Sequence, residues 1–250
     1  MRPSLCFLAC FAAGALAAPT WLDDIYDYSE EMASFLGEVS KEIEKVAISA
    51  TTCDTSKISL PSYASNLPSP SGLTPLYVAV GRGTQNYTCA TSSSNSTPVA
   101  IGAVARLYNA TCIAANYPTL LEQLPDLAYK ISLPSVEEDA LPPANLDLLG
   151  HHYFEGTSTP VFNLDTTATQ QNGIAITKKQ SSVDAPSDAV KGSTGAVPWL
   201  YLTSIDGTVG EYKSVYRVTT VSGAAPDTCK NMQSTFTVQY AALYYFYGES

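Results

Sequence analysis

Histidine is scarce in this 250-residue chain, and its 2 histidines, His151 and His152, are adjacent. Because histidine is a frequent general base and metal ligand in proteins, few catalytic arrangements remain open to a chain with so little of it. The chain also lacks the GxSxG elbow of serine hydrolases, the SxxK motif and the Walker A phosphate loop. A serine triad would have to use one of the adjacent histidines, and no pattern marks its serine.

Positive charge is also in short supply, with 13 Lys and Arg against 23 Asp and Glu and a net charge of -10. Nucleic acids and anionic membrane surfaces bind proteins through clusters of basic side chains. We therefore expect neither nucleic acid nor a membrane as a partner. We interpret the excess of acidic residues as a feature that keeps the protein soluble.

Long apolar runs are absent beyond the N-terminus, where Leu5 to Ala17 forms one short run behind the positive residue Arg2. The pattern Ala15-Leu16-Ala17 fits a signal-peptidase site, and the run is too short to span a membrane as a helix. We expect residues 1–18 to be a signal peptide and the mature chain to be secreted, to the extracellular medium or the cell wall. The alternative is a buried N-terminal helix.

Cysteine provides a second indication of an oxidising compartment. Removal of the signal leaves four cysteines, which predict two disulfides with three possible pairings: Cys53, Cys89, Cys112 and Cys229. A Cys89–Cys112 bond could close a local loop, and a Cys53–Cys229 bond would then join the two ends of the main domain. None of the four lies in a CxxC motif, which disfavours a zinc or redox site.

Three N-glycosylation sequons lie close together, at Asn86, Asn95 and Asn109. Pro98 follows the second sequon and should lower its occupancy. We expect two of the three to carry glycans and the region around them to face solvent.

Residues 19–50 are expected to form a helical extension, because Thr20 to Ala47 carries apolar residues at three- and four-residue steps. We interpret it as a helix packed on its own domain; the alternatives are a pro-segment or a partner-binding helix. Residues 51–250 then form a single domain.

Short alternating segments dominate that domain, and they predict a mainly β fold, an antiparallel β-sandwich or barrel with an N-terminal amphipathic helix. The last segment is the clearest, with Phe236, Tyr240 and Phe246 sharing one face. Beyond Ala241 both faces are apolar, so we expect this end to be covered on both sides, with the N-terminal helix as a candidate cover. The other strand candidates are Leu76 to Val80, Thr84 to Ala90, Val99 to Tyr108, Val161 to Leu164, Ile174 to Lys178, Val197 to Thr203 and Tyr212 to Val221. A helix is predicted from Pro118 to Lys130, broken or kinked at Pro125.

The segment from Leu76 to Gly83 superficially resembles the first strand and glycines of a dinucleotide-binding fold. A pyrophosphate site needs a third glycine and a helix N-terminus directly afterwards, and the chain has Asn86 and a Ser-rich stretch there. We predict instead that Gly81-Arg82-Gly83 forms a hairpin turn, and we expect no cofactor.

Candidate catalytic groups are few and weakly marked. His152 with Glu155, or His151 with Asp165, could form part of a site, although adjacent strand residues point to opposite faces. Carboxylate pairs that hydrolyse glycosides can lie far apart in sequence, and no pair is singled out among the candidates Glu122, Glu137, Glu138, Asp139, Asp165 and Asp206. The 16 tyrosines offer rings that stack on sugars or fill protein interfaces.

Several blocks of the chain together resemble a family of unknown function. In order, they are Gly81 to Cys89, Pro98 to Ala105, Leu149 to Phe154, Val197 to Leu200, Val215 to Val218 and Phe236 to Tyr240. The family occurs in secreted fungal proteins, with shorter bacterial relatives, and the resemblance runs from about Leu60 to Gly248. It implies a filamentous-fungus source and supplies no catalytic residue. Members are sometimes labelled malate dehydrogenase, an activity that the incomplete dinucleotide motif does not support.

These features together favour a secreted, non-enzymatic protein that binds a cell-wall glycan or an extracellular protein. The signal, the cysteines, the sequons and the lack of a catalytic motif all point that way. The alternative is an extracellular hydrolase that uses His151, His152 and a carboxylate.

Overall fold

A computed structural model describes residues 53–130, 140–141, 146–167 and 170–249. The predicted signal peptide, the predicted helix from Thr20 to Ala47 and the acidic run from Glu137 to Asp139 lie outside the described residues.

The described chain contains nine β-strands, two α-helices and two short 3-10 helices. The strands are β1 (Thr74–Thr88), β2 (Val99–Asn109), β3 (Ala140–Leu141), β4 (Leu146–Glu155), β5 (Thr159–Thr167), β6 (Gln170–Val183), β7 (Trp199–Ser204), β8 (Tyr212–Ser222) and β9 (Thr235–Gly248). The α-helices are α1 (Thr111–Asn116) and α2 (Pro118–Lys130), and the 3-10 helices cover Thr55–Lys57 and Ser62–Asn66.

Eight of the strands close into an antiparallel barrel. From β4 to β9 each strand pairs with the next in sequence, β9 pairs with β1, and β1 pairs with β2. Pairing of β2 with β4, with Ala105 opposite His152, closes the ring and leaves only the short β3 outside it. The prediction of a mainly β antiparallel fold is confirmed. Of its two forms the barrel is observed, and it gives both edges of the sheet a partner.

Very small residues in β1 make room for groups on the neighbouring strands. Tyr244 points at Gly81, where an added Cβ would lie 2.4 Å from the tyrosine ring. At Gly83 an added Cβ would lie 1.9 Å from the carbonyl oxygen of Val104. The predicted hairpin turn at Gly81-Arg82-Gly83 is therefore wrong: both glycines lie within β1, because only glycine permits this close approach.

The outer face of the barrel is covered on one side by α2 and by the segment that precedes β1. Leu121, Leu124 and Ala128 of α2 pack with Leu243 and Tyr245 of β9 in one buried cluster. The prediction that both faces of this part of β9 are buried is confirmed, and the cover that the structure describes is α2. Helix α2 continues through Pro125, so the predicted break there is wrong. Pro118 at its first position suits a helix start, since its missing N–H would have no partner there.

Arg82 joins α2 to the barrel. Its guanidinium is 2% exposed and faces the C-terminal end of α2, where Nε donates to the Ala128 carbonyl at 2.9 Å and Nη2 to the Tyr129 carbonyl at 3.4 Å. Nη2 also donates to Gln239 Oε1, and the guanidinium lies 5.5 Å from the centre of the Tyr129 ring. Burial lowers the pKa of Arg82 below its ordinary value. The last carbonyls of a helix carry partial negative charge, so they stabilise the buried cation without a carboxylate.

The four cysteines predicted to remain after signal removal form two disulfides, as predicted. The pairs are Cys53–Cys112 and Cys89–Cys229. The suggested combination of Cys89–Cys112 with Cys53–Cys229 is wrong. Pairing of β1 with β9 explains the difference, because it places Cys89, directly after β1, beside the connection that leads into β9, where the Cys89 N–H donates to the Ser234 carbonyl.

Replacing Arg82 with Met should lower the free energy of unfolding by about 3 kcal/mol, because the buried helix carbonyls lose their donors. Urea unfolding of the purified protein measures this change. Lys178→Met, which removes an exposed cation from β6, is the control and should change the stability by less than about 0.5 kcal/mol. Equal stability of the two variants would contradict the role given to Arg82.

Loss of the Cys89–Cys229 bond should destabilise the protein more than loss of Cys53–Cys112, because it closes the longer loop. With sequence separations of 140 and 59 residues, the loop-entropy relation gives about 5 and about 4 kcal/mol. Urea unfolding of the two double Cys→Ser variants tests the order. Peptide mapping without reduction tests the pairing, and a Cys89–Cys112 peptide would refute it.

Candidate binding cleft

The two histidines lie on opposite faces of β4 and do not form one site. His152 points into the barrel and is 3% exposed, whereas His151 lies on the outer face and is half-buried. Glu155 is exposed at the last position of β4, on the outer face with His151. The use of these residues in catalysis stays a prediction.

His152 is part of the aromatic interior. Its ring stacks on Phe162 with 4.3 Å between centroids and an interplanar angle of 9°, and its Nδ1–H donates to the Val161 carbonyl at 2.9 Å. Burial lowers the pKa of His152 to about 4, and the positive charge of Arg217 acts in the same direction. The hydrogen bond to Val161 raises the pKa of His152, but this effect is smaller than the effect of burial. The ring is thus neutral at neutral pH and serves to fill the barrel.

The other carboxylate candidates lie apart from one another. Asp165 on β5 accepts a hydrogen bond from the Gly173 N–H on β6 at 2.6 Å, which joins the two strands. Asp206 is exposed in the turn between β7 and β8. Glu122 lies on α2 and, of the candidates within the described residues, is the one that lines the cleft beside this helix.

The three sequons differ in their surroundings. Asn95 is exposed in the connection between β1 and β2, whereas Asn86 and Asn109 are half-buried on the strands themselves. The Asn109 side-chain oxygen accepts hydrogen bonds from both the N–H and the hydroxyl of Thr111, at 3.0 and 2.7 Å. Glycan attachment at these positions stays a prediction.

A cleft of about 320 Å³ lies on the outside of the barrel, between α2, the 3-10 helix Ser62–Asn66, the loop between β6 and β7, and strand β8. We call it the α2 cleft and define it by six of its lining residues: Tyr63, Glu122, Asp126, Asp188, Trp199 and Thr219. These residues come from segments far apart in sequence, and the barrel and α2 bring them together.

Two aromatic residues form one wall of the α2 cleft. Tyr63 is 36% exposed, and its ring meets the Trp199 ring edge to face, with centroids 5.2 Å apart. The 3-10 helix fixes this arrangement, because Ala64 and Leu67 are buried against the barrel and leave Tyr63 facing outward. Trp199 is 4% exposed, and its Nε1–H has no acceptor among the residues that the structure describes.

The floor of the α2 cleft contains strained backbone. Thr219 has a φ of 47°, which is a rare conformation for a β-branched residue and costs on the order of 1–3 kcal/mol. It lies where the pairing of β8 with β9 shifts register, between Val218 and Val221. Its hydroxyl is buried and has no partner among the described residues. Strain together with an unpaired polar group is typical of functional sites.

Three carboxylates surround the cleft. Glu122 and Asp126 are one turn apart on α2, so they lie on the same helix face. Asp188 approaches from the loop between β6 and β7, which is held to β8 by a hydrogen bond from the Ser222 N–H to the Val190 carbonyl at 2.8 Å. Sequence reasoning named only Glu122. The i, i+4 spacing of Asp126 was a usable signal, whereas Asp188, Tyr63 and Trp199 reach the cleft through tertiary contacts alone.

The α2 cleft therefore offers an aromatic surface, hydrogen-bond acceptors and buried polar groups without partners. Within the described ranges no three His, Cys, Asp or Glu residues are grouped so that they could hold a metal ion. This combination suits a hydroxyl-rich ligand with an apolar face.

Acid should destabilise the protein through His152. Because its folded pKa of about 4 lies below the ordinary 6.5, the unfolded chain binds the proton more tightly. The stabilising contribution is complete above pH 6.5 and is lost as the pH falls to about 4, a change of about 3 kcal/mol.

Urea unfolding at several pH values should show a smaller loss of stability over this range for His152→Phe than for the wild type. His151→Gln retains His152 and should keep the wild-type dependence. A His152→Phe variant with the wild-type slope would contradict the assignment.

In the described part of the chain, no helix combines the length and the apolar character needed to cross a membrane. A family model with the description "Protein of unknown function (DUF3455)" matches residues 70–248, from before β1 to the end of β9. A second, "Protein of unknown function (DUF2990)", matches residues 9–68. No curated protein and no solved structure matches the chain. Because the first match covers well over half of its 250 residues, the chain belongs to the DUF3455 family of proteins of unknown function.

Proposed function

We propose that this is a secreted, non-enzymatic protein that binds an extracellular glycan in the α2 cleft. Secretion is supported by the sequence pattern of residues 1–18 and by the two disulfides, which persist in oxidising compartments. The three sequons agree with passage through a eukaryotic secretory pathway.

The observation that carries the proposal is the pairing of an exposed ring with a buried indole at the wall of the cleft. Sugar rings have an apolar face of C–H groups that packs on aromatic side chains, and Tyr63 presents such a surface over Trp199. The volume of about 320 Å³ is at the lower end of the range of small-molecule sites, about 300–1,000 Å³. It suits one or two rings of a longer chain that continues into solvent.

The polar groups of the cleft complement sugar hydroxyls. Carboxylates such as Glu122 accept hydrogen bonds from hydroxyl groups, and charged acceptors form the stronger hydrogen bonds. The buried Trp199 Nε1–H and Thr219 hydroxyl lack hydrogen-bond partners among the described residues. A small movement of the cleft wall would let a ligand hydroxyl form a hydrogen bond with each of them.

A hydrolase that uses His151, His152 and a carboxylate is the weaker candidate. A shared site would require one of these two side chains to leave its face of β4, and His152 would also have to leave its stack on Phe162.

Tryptophan fluorescence gives a direct test. The chain has 2 tryptophans, so the Trp21→Phe variant leaves Trp199 as the single reporter at the cleft. Titration with hexasaccharides of β-1,3-glucan, cellulose, chitin and chitosan should give a saturable change with at least one of them. Tyr63→Ala should weaken that binding roughly tenfold, because the stacking surface is lost.

Tyr153→Ala, which removes a half-buried tyrosine from β4 on another side of the barrel, is the matched control and should bind as the parent does. No saturable change with any of the four sugars would overturn the proposal. Equal binding by the Tyr63→Ala and parent proteins would show that the glycan binds elsewhere. That result would refute the assignment of the binding site to the α2 cleft.

A further inference from the structure

The charge at the α2 cleft is negative and only partly compensated. Three carboxylates line it, and none of the residues described as lining it is a lysine or arginine. Lys130 lies nearby and pairs with Asp126 Oδ2 at 2.9 Å. Among the residues that the structure describes, Glu122 and Asp188 form no salt bridge.

Only one of the two carboxylate oxygens of Asp126 has a partner among the described residues. Its Oδ2 binds Lys130, but its Oδ1 is buried and accepts no hydrogen bond from any residue that the structure describes. A buried carboxylate oxygen without a donor is unfavourable, because water no longer solvates it. Glu122 is one turn away on the same face of α2, at the separation of about 5–6 Å between Cβ atoms that i, i+4 pairs have. A ligand ammonium between the two could donate to both.

The aromatic wall supplies an independent indication of a ligand. Trp199 is 4% exposed, lines the cleft, and has an Nε1–H with no acceptor among the described residues. Acidic groups alone would suit any cation. A buried indole N–H in the same cleft needs an acceptor, which an ammonium lacks and a hydroxyl has. The cleft therefore calls for one molecule that carries both ammonium and hydroxyl groups.

We propose that the α2 cleft prefers a glucosamine oligomer, a glycan with free ammonium groups, to neutral or N-acetylated sugars. This inference rests on the proposed glycan binding and names the class of glycan. The sugar ring packs on Tyr63, its ammonium lies between Asp126 and Glu122, and a hydroxyl faces Trp199. Asp188 receives the ammonium of a neighbouring sugar unit on the opposite side of the cleft.

Four probes on the Trp21→Phe protein test this preference: the hexamers of glucosamine, N-acetylglucosamine and β-1,3-linked glucose, and hexalysine. The glucosamine hexamer should bind at least about tenfold more tightly than either other sugar. Raising NaCl from about 20 to about 300 mM should weaken its binding several-fold, because salt screens exposed charges. Hexalysine has the charge without the rings and should bind less tightly than the glucosamine hexamer.

Single carboxylate variants locate the effect. Asp126→Asn and Glu122→Gln keep the shape of the side chains. Each should weaken the binding of the glucosamine hexamer by a larger factor than the binding of neutral sugars, so that the preference for glucosamine falls at least about threefold. Asp206→Asn removes an exposed carboxylate outside the cleft and should leave the preference unchanged. Near-wild-type urea unfolding curves establish that these variants are folded.

The outcomes separate this inference from the proposed function. Equal binding of the three sugars, or an unchanged preference in Asp126→Asn and Glu122→Gln, would overturn the glucosamine assignment and leave glycan binding standing. Hexalysine binding as tight as that of the glucosamine hexamer would reduce the effect to attraction between a polycation and an acidic protein, and would also overturn it. No binding of any sugar would overturn both.

Discussion

The Arg82 guanidinium at the C-terminal end of α2 is the interaction on which the arrangement of the outer surface depends. A cation that is 2% exposed needs negative charge close by, and the carbonyls of Ala128 and Tyr129 supply it. The contact fixes one end of α2 on β1, and the apolar face of the helix then packs on β9. Glu122 and Asp126 face the α2 cleft as a result, so the position of these acidic groups depends on a buried charge that is not among the residues lining the cleft.

Side-chain packing inside the barrel is the second constraint on the structure. Tyr244 needs space that only glycine at position 81 of the neighbouring strand leaves free, and His152 enters the same packing as a neutral ring stacked on Phe162. Of the candidate catalytic groups that the structure describes, His152 is the one that takes part in this packing. The carboxylates of the α2 cleft lie instead on the outside of the barrel, on α2 and on the loop between β6 and β7.

The sequence predicted features that depend on local periodicity and missed those that depend on distant partners. The alternation around Phe236 and Tyr240 identified β9 and its inward face, and the helical spacing after Pro118 identified α2. Gly81 and Gly83 were misread as a turn, because glycine marks turns locally and the aromatic ring that requires it lies on another strand. The disulfide pairing failed for a related reason: Cys89 and Cys229 meet only when β1 pairs with β9. The cleft was beyond reach because its walls come from four separate segments.

The two family matches meet between residues 68 and 70, and the α2 cleft lies across that junction. The first match supplies α2 and Trp199, whereas Tyr63 belongs to the segment covered by the second. That segment is held to the barrel domain by the Cys53–Cys112 bond and by the Tyr216 hydroxyl, which donates to the Pro68 carbonyl at 2.6 Å. A barrel without this segment would keep the carboxylates of α2 and lose the exposed ring above Trp199. The proposed recognition of a sugar ring in this cleft therefore requires both parts of the chain, whereas the carboxylates of the cleft come from the barrel domain alone.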